Sequence, residues 1–499
     1  GGGYVMLHFL PCAVALGAAF PALLAAAEAG GTDPGRGTAW LLGANTLGNL
    51  LGALLGSFVL MPWLGLEMVL TIGSLASLLV AALACGRRPG RWLIGAVAAG
   101  IVGTLLATSW PAMDLLYGGL FRLKIDGTSS PRGQIENRDF GPVLLRRDGT
   151  DASIVVQRAG DLISFRTNGK PDGTVGPRGE ADQLTQILLG HVGFVHNPSA
   201  KKVFVVGLGT GQSAGAAAAH PETSVTVAEL NEGVLEAAPI FAEYTGDVVN
   251  KPNVRVLITD AREALRAEAP GSIDLYISEP SNPWVVGVAD LYTKDHLERV
   301  RARLAPGGVV VQWLHAYEVG DEIFRDILCT AAGVFPRLWV YRLGTGDFAL
   351  VGGVDPKDVD ASAVAAWLAD KQVLATIPDV GRFPRTVDTL FLLNMAGPSA
   401  VARVCEGFDQ PLDELFPRLE YQAPRFVFSQ RNAAEMVRKV DARSRPPFDT
   451  LLGDVLRNTP LTEARIVAFR TFLLAEHRDF ETPLLAALMP TNLPGPLAE

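Results

Sequence analysis

Ile273-Asp274-Leu275-Tyr276-Ile277-Ser278-Glu279-Pro280-Ser281-Asn282-Pro283-Trp284 is a short apolar run cut off by an acid, two prolines and an amide. A buried strand has to stop there, because proline supplies no ladder donor and fixes its own φ. Glu279 therefore stands at a strand's carboxyl end, where open α/β sheets gather ligands and chemistry. Upstream, Val203-Phe204-Val205-Val206 runs into Gly207-Leu208-Gly209-Thr210-Gly211, a second strand end that opens an alanine-rich helix. Glycine at such a turn lets the backbone bend tightly and lets a ligand approach the helix's amino end. The two strand ends predict one nucleotide-binding cleft.

Outward from that cleft, strands and helices alternate from Lys201 onward, the mark of a mostly parallel sheet with helices on both faces. Strands are predicted at 203–206, 224–228, 254–258, 273–278 and 308–313, closed by a hairpin at 338–342 and 348–352. Helices fit at 212–219, 232–244, 262–267, 291–304 and 321–335. The second strand ends in Glu229, 18 residues past Gly211, where such folds place an acid on the ribose hydroxyls. The third ends in Thr259-Asp260-Ala261, an acid and a small residue that suit an adenine edge or, equally, a helix cap. Glycine-x-glycine-x-glycine with an acid on strand two fits dinucleotides and sulfonium nucleosides alike, so the three signals predict an adenosine-type ligand. Glu279 is then a carboxylate beside that ligand, able to bind or deprotonate an amine. Its plainer role would be to cap a turn.

The 499 residues are too many for one core and suggest about three domains. Mean hydropathy is +0.24, and almost all of the excess lies before residue 112. Tyr4–Ala27, Thr38–Leu60, Met68–Ala84 and Trp92–Ser109 each approach the roughly 20 apolar residues that cross a bilayer. Small residues recur inside them, as in Gly43-Ala44-Asn45-Thr46-Leu47-Gly48, a spacing that lets helices pack closely in lipid. Buried helices of a large soluble core are the alternative. The start Gly1-Gly2-Gly3, without methionine, reads as a fragment missing earlier helices. Arg36, Arg87, Arg88 and Arg91 would hold their loops in the cytoplasm and put the following domain outside. Arg122, Lys124, Arg132 and Arg138 pull the other way, as does a cytosolic nucleoside.

Four units follow: membrane helices over 1–112, a small β-rich subdomain with a lead-in helix over 113–199, the α/β domain over 200–355, and a mostly helical region over 356–499. Within the second, short β-like runs at 143–145, 153–157 and 162–165 precede a polar loop from Pro171 to Glu180. The net charge of −9 leaves no basic footprint for nucleic acid. Cys12, Cys85, Cys329 and Cys405 are far apart and predict neither a metal site nor a disulfide framework.

From about Asn168 to Gly352 the chain resembles the polyamine aminopropyltransferases, the spermidine/spermine synthase family. Ser278-Glu279-Pro280-Ser281-Asn282-Pro283-Trp284, Arg303-Leu304-Ala305-Pro306-Gly307-Gly308-Val309 and Gln312-Trp313-Leu314 carry the resemblance. With its membrane part and the segment at Gly43–Gly48 it looks like the membrane-fused branch of that family. The resemblance implies a Rossmann-like, methyltransferase-type α/β domain after an α-helical membrane region, with a helical C-terminal tail. It implies decarboxylated S-adenosylmethionine as co-substrate, no metal, and an aminopropyl group passing to an amine in polyamine biosynthesis. Gly207, Gly209 and Gly211 match the family's glycine loop, Glu229 its ribose acid, and Asp260 with Ala261 its adenine-contacting pair. Gln186 matches a position near the substrate, and Glu279 stands where the family has its catalytic aspartate.

Two departures touch the acceptor. Thr210 and Asn282 replace aspartates that would hold cationic amines, and each lost pair costs about 3–5 kcal/mol in a dry site. Putrescine is therefore expected to bind poorly. The expected partners are a small-molecule amine, the lipid bilayer of a multi-pass inner-membrane protein, and a second copy in a homodimer. A methyltransferase using S-adenosylmethionine is the alternative enzyme. A non-catalytic nucleoside or polyamine sensor, or a transporter, is the alternative from another class.

Overall fold

The computed structural model describes residues 33–66 with a few neighbours, and residues 141–451 apart from 180, 357, 379–384, 428–430 and 443–448. The chain forms two units: residues 1–110 with 147–150, and the remainder. In the first, α1 (Pro34–Leu55) starts on Asp33, whose carboxylate accepts from the Arg36 N–H at 3.0 Å. Pro34 presets the first turn. The helix continues through a π-helical turn at Gly56–Leu60, so that Pro34–Leu66, 33 residues, is long and apolar enough to cross a bilayer. It contains the expected span Thr38–Leu60 and is the one such helix among the described residues. The expected spans Tyr4–Ala27, Met68–Ala84 and Trp92–Ser109 lie almost wholly outside the described residues.

A four-stranded sheet follows, in the order β1 (Val143–Asp148), β2 (Ser153–Ala159), β3 (Leu162–Thr167) and β4 (Lys170–Val175). The sequence reading placed a polar loop from Pro171 to Glu180, and the structure corrects it: Lys170–Val175 is a strand. Pro171 is tolerated because β4 is an edge strand and the ladder slips beside it, with Phe165 facing Gly173 and Arg166 facing Pro171. The lead-in helix α2 (Ala181–His196) then runs to the main sheet.

That sheet has eight strands. β5 (Lys202–Val206) is central, with α3 (Gln212–Ala217) leading to β6 (Ser224–Glu229) and α4 (Glu232–Ala237) towards β7 (Val254–Ile258). On the other side, α5 (Ala261–Ala267) leads to β8 (Ile273–Ser278), and α6 (Lys294–Arg303) to β9 (Leu304–His315). After α7 (Asp321–Val334), β10 (Trp339–Arg342) and β11 (Asp347–Gly353) form the expected hairpin. A short β12 (Asn394–Ala396) adds an edge from a region read as helical. The order is β12-β10-β11-β9-β8-β5-β6-β7. The strands from β9 to β7 pair in parallel, and β11 returns antiparallel on β9. This is the Rossmann-like, methyltransferase-type arrangement.

Alternate residues of the central strands feed two cores. Val203, Val205, Leu275 and Ile277 pack on the α2–α3 face, while Phe204, Val206 and Tyr276 pack on the face of α6 and α7. Apolar runs buried on both faces are what a parallel sheet requires. The predicted helix at 232–244 is interrupted: α4 stops at Ala237 and a 3-10 turn, Ala238–Phe241, carries Pro239. Cys329 of α7 and Cys405, 76 residues apart, are joined in a disulfide, contrary to the expectation of none. Cysteine spacing carries no information on a bridge that tertiary packing creates.

Candidate active site

The chain leaves β5 towards β6 on one side, while β8 pairs with β5 on the other. The crevice at this switch point is where open sheets bind ligands. The structure brings the predicted strand ends together there. Gly207 and Gly211 have φ of 84° and 85°, a left-handed backbone that glycine adopts without strain. At Gly209 a Cβ would meet nothing within 4 Å, so the loop's middle lies open to a ligand. The Gly207 N–H donates to Ala228 O at 2.9 Å, and the Glu279 N–H to Val206 O at 3.3 Å, which ties the loop to its neighbouring strand ends.

Glu229 turns back onto the glycine loop. Its carboxylate accepts from the Leu208 N–H at 2.8 Å and from the Asn231 N–H at 2.9 Å. Burial pushes its pKa up, and these backbone donors oppose the shift. Asp260 caps α5, accepting from the Arg262 N–H at 2.7 Å. The Arg262 guanidinium bridges Asp260, at 2.8 Å, and Asp290, and it holds the Asp260 carboxyl below its usual range. Asp260 is thus a helix cap that also lies at the crevice, with Ala261 next to it.

The other half of the cleft gathers around Glu279, which is half-buried. Its carboxylate accepts from the Ser213 hydroxyl in the first turn of α3. Burial pushes its pKa up to about 7, the Ser213 bond opposes this, and the charges of Asp347 and Asp172 add to it. Thr210 donates to Gln186 Oε1 at 2.5 Å, and Gln186 Nε2 donates to the Asp172 carbonyl at 3.2 Å. Gln186, Thr210, Ser213 and Asn282 are buried.

Sequence reasoning missed a second set. Lys170, buried on β4, pairs with Asp172 and donates to Asn282 Oδ1 at 2.5 Å. Its ammonium lies 5.8 Å from the Trp284 ring centre. The Asn282 amide nitrogen lies 2.9 Å from His315 Nε2, and His315 Nδ1 lies 2.6 Å from the Tyr317 carbonyl. That carbonyl can only accept, so Nδ1 carries the proton and Nε2 accepts from the amide, which fixes the amide's direction. Ser281 donates to Asp172 Oδ1 at 3.0 Å. Asp347 accepts from the Trp313 indole at 3.3 Å, and burial and then Asp182 push its carboxyl up to about 6. Lys170 and Asp172 were hidden because the strand carrying them reads as a turn. His315 lies two residues beyond the predicted strand end.

The family model described as the spermine/spermidine synthase domain matches residues 183–343, a span holding Gln186, the glycine loop, Glu229, Asp260, Glu279 and Asn282. Over 144 residues the chain is 34% identical to a spermidine synthase of Dictyostelium discoideum, covering 27% of this chain and 50% of that protein. It therefore spans about half the length of that relative. Over 405 residues it is 29% identical to a polyamine aminopropyltransferase of Mycobacterium tuberculosis, covering 76% of this chain and 72% of the relative. The crystal structure of spermidine synthase from Thermotoga maritima superposes with a TM-score of 0.40 at 19% identity, over 47% of this chain and 83% of that one. Residues 183–343 are thus similar to the spermine/spermidine synthase domain.

Proposed function

We propose that this protein is a membrane-bound aminopropyltransferase of the spermidine synthase kind, using decarboxylated S-adenosylmethionine and an amine acceptor. The observation that carries the reading is Glu279, a carboxyl held near neutrality at the strand end beside an open glycine loop. Gly207, Gly209 and Gly211 would admit the nucleoside, Glu229 would take its ribose, and Asp260 with Ala261 would border its adenine. The acceptor's nitrogen lone pair attacks the methylene carbon attached to the sulfonium. The new N–C bond forms as the C–S bond breaks, and the electron pair returns to sulfur, leaving neutral methylthioadenosine. The acceptor arrives as an ammonium, and the ionised Glu279 carboxylate takes one of its protons to free the attacking lone pair, the secondary amine product keeping the remaining positive charge. Holding the two reactants in line supplies much of the rate.

Gln186, Thr210 and Asn282 line the acceptor side in this reading. The helix Pro34–Leu66 is long and apolar enough to cross a bilayer; the multi-pass, membrane-fused arrangement and the division at about residues 112, 199 and 355 rest on the sequence reading. A homodimer belongs to the same reading. Incubation of the purified protein with decarboxylated or ordinary S-adenosylmethionine and a panel of amines, read by product mass, tests the chemistry. Aminopropylated amine together with methylthioadenosine is expected. Methylated amine from the carboxylated nucleoside would replace this reading with a methyltransferase.

A further inference from the structure

Lys170 is a cation that the protein itself places in the acceptor half of the cleft. It is buried and reaches Asp172, Asn282 and the Trp284 ring. The surrounding oxygens are already committed. Asp172 Oδ1 takes both Lys170 and the Ser281 hydroxyl. The Asn282 carbonyl oxygen, that amide's one acceptor atom, takes Lys170, and its nitrogen faces a neutral imidazole. Lys170 also draws down the carboxyl of Asp347, so it compensates a second buried acid. One acceptor atom stays open: Asp172 Oδ2 is buried and has no hydrogen-bond partner among the described residues. Asp172 is near enough to Glu279 for its charge to act on that carboxyl. On β4 the next residue is Gly173, where a Cβ would stand 2.7 Å from Gln186 Nε2 and 2.8 Å from the Thr210 methyl, so the strand packs directly on the acceptor side of the cleft.

We infer that Lys170 fills the place of an acceptor's second ammonium, so that this pocket takes an amine with one cationic nitrogen and an uncharged far end. The inference rests on the aminopropyl-transfer reading. The reacting nitrogen lies between Glu279 and the open oxygen of Asp172, and the far end of the acceptor meets Lys170, Asn282 and Trp284. A diamine would bring a like charge against a buried ammonium whose counter-ions are already engaged, an arrangement that low-dielectric sites penalise strongly. The loss of negative charge at Thr210 and Asn282 is thus half of a substitution whose other half is a gained cation on β4.

The test compares butylamine with putrescine on the full-length protein, by calorimetry in the presence of methylthioadenosine and by turnover with decarboxylated S-adenosylmethionine. In the wild type, butylamine is expected to bind more tightly, with higher kcat/KM, by about tenfold or more. Lys170→Met, which keeps the bulk and frees Asp172, should move the ratio towards putrescine. If that variant does not fold, the wild-type comparison alone decides. Tighter binding of putrescine by the wild type, binding of neither amine, or an unchanged ratio in a folded Lys170→Met would overturn the inference. Ordered binding without transfer would instead sink the aminopropyl-transfer reading and leave the pocket's preference standing.

Discussion

With its pKa pushed up to about 7, the Glu279 carboxyl is poised between its two protonation states at neutral pH. A base must be ionised to take the amine's proton, so kcat/KM should climb as pH rises through about 7 and then level off. Glu279→Gln should remove that limb and lower turnover by about 10²–10⁴-fold, while calorimetry finds methylthioadenosine still bound. A glutamine variant with wild-type rates would reduce Glu279 to a turn-capping residue. Asn282 invites a second substitution. Because its carbonyl oxygen already accepts from Lys170, Asn282→Asp would create another protein ion pair rather than a site for substrate. Putrescine use should therefore hardly change in Asn282→Asp, even though an acid has been restored. A large gain in kcat/KM for putrescine from that one change would show that Lys170 does not claim the new charge.

At the scale of elements, what could be read from sequence followed from punctuation. Gly207-Leu208-Gly209-Thr210-Gly211 and Pro280-Ser281-Asn282-Pro283 end β5 and β8 in ways that only a few backbone geometries satisfy, and the cleft between them was legible for that reason. β9 and the β10–β11 hairpin were legible from apolar runs buried on both faces. β4 was not. Pro171-Asp172-Gly173 has the composition of a turn, and an edge strand with a slipped register is the one setting in which it can still pair. That single miss concealed Lys170 and Asp172 and left the acceptor pocket with an apparent charge deficit. The link between α7 and Cys405, which follows the helix Pro398–Val404, was equally silent. Its removal gives an element-scale prediction. Closing 76 residues should stabilise the fold by about 4.5 kcal/mol in the chain-entropy account, against the roughly 2–4 kcal/mol typical of disulfides. Urea titration of Cys405→Ser should show a midpoint lowered accordingly, and reductant should shift the wild type but not the variant. Coincident curves would show that the bridge contributes nothing.

Across the whole molecule, burial sets stability against pH through two opposed sets of groups. His191 and His196 on α2 are held down to about 3 by burial, His196 further by Arg337. His220 is driven well below its usual value, by burial and then by His191, whose Nδ1 lies 2.9 Å from its Nε2. His296 on α6 is lowered to about 4 by burial and by Arg299 and Arg262. All four stay neutral in the fold below pH 6.5, whereas in the unfolded chain they take up protons as pH falls through about 6.5. The unfolded state then binds more protons, and stability is lost as pH falls. Glu279 and Asp347 act in the opposite sense. Their folded values of about 7 and about 6 lie above the unfolded ones, so between roughly pH 4.5 and 7 the fold binds the extra proton. Burial raises Glu229 and Asp326 in the same direction. Four lowered histidines stand against two strongly raised carboxyls, so the net proton excess should favour the unfolded chain as pH falls through about 6.5. Each such proton is worth about 1.4 kcal/mol per pH unit. Unfolding free energies from urea titrations at pH 7, 6 and 5 should therefore fall steadily. Glu279→Gln, which removes one opposing proton, should steepen that fall. A stability that is flat or rises from pH 7 to 5 would mean that the buried carboxyls outweigh the histidines.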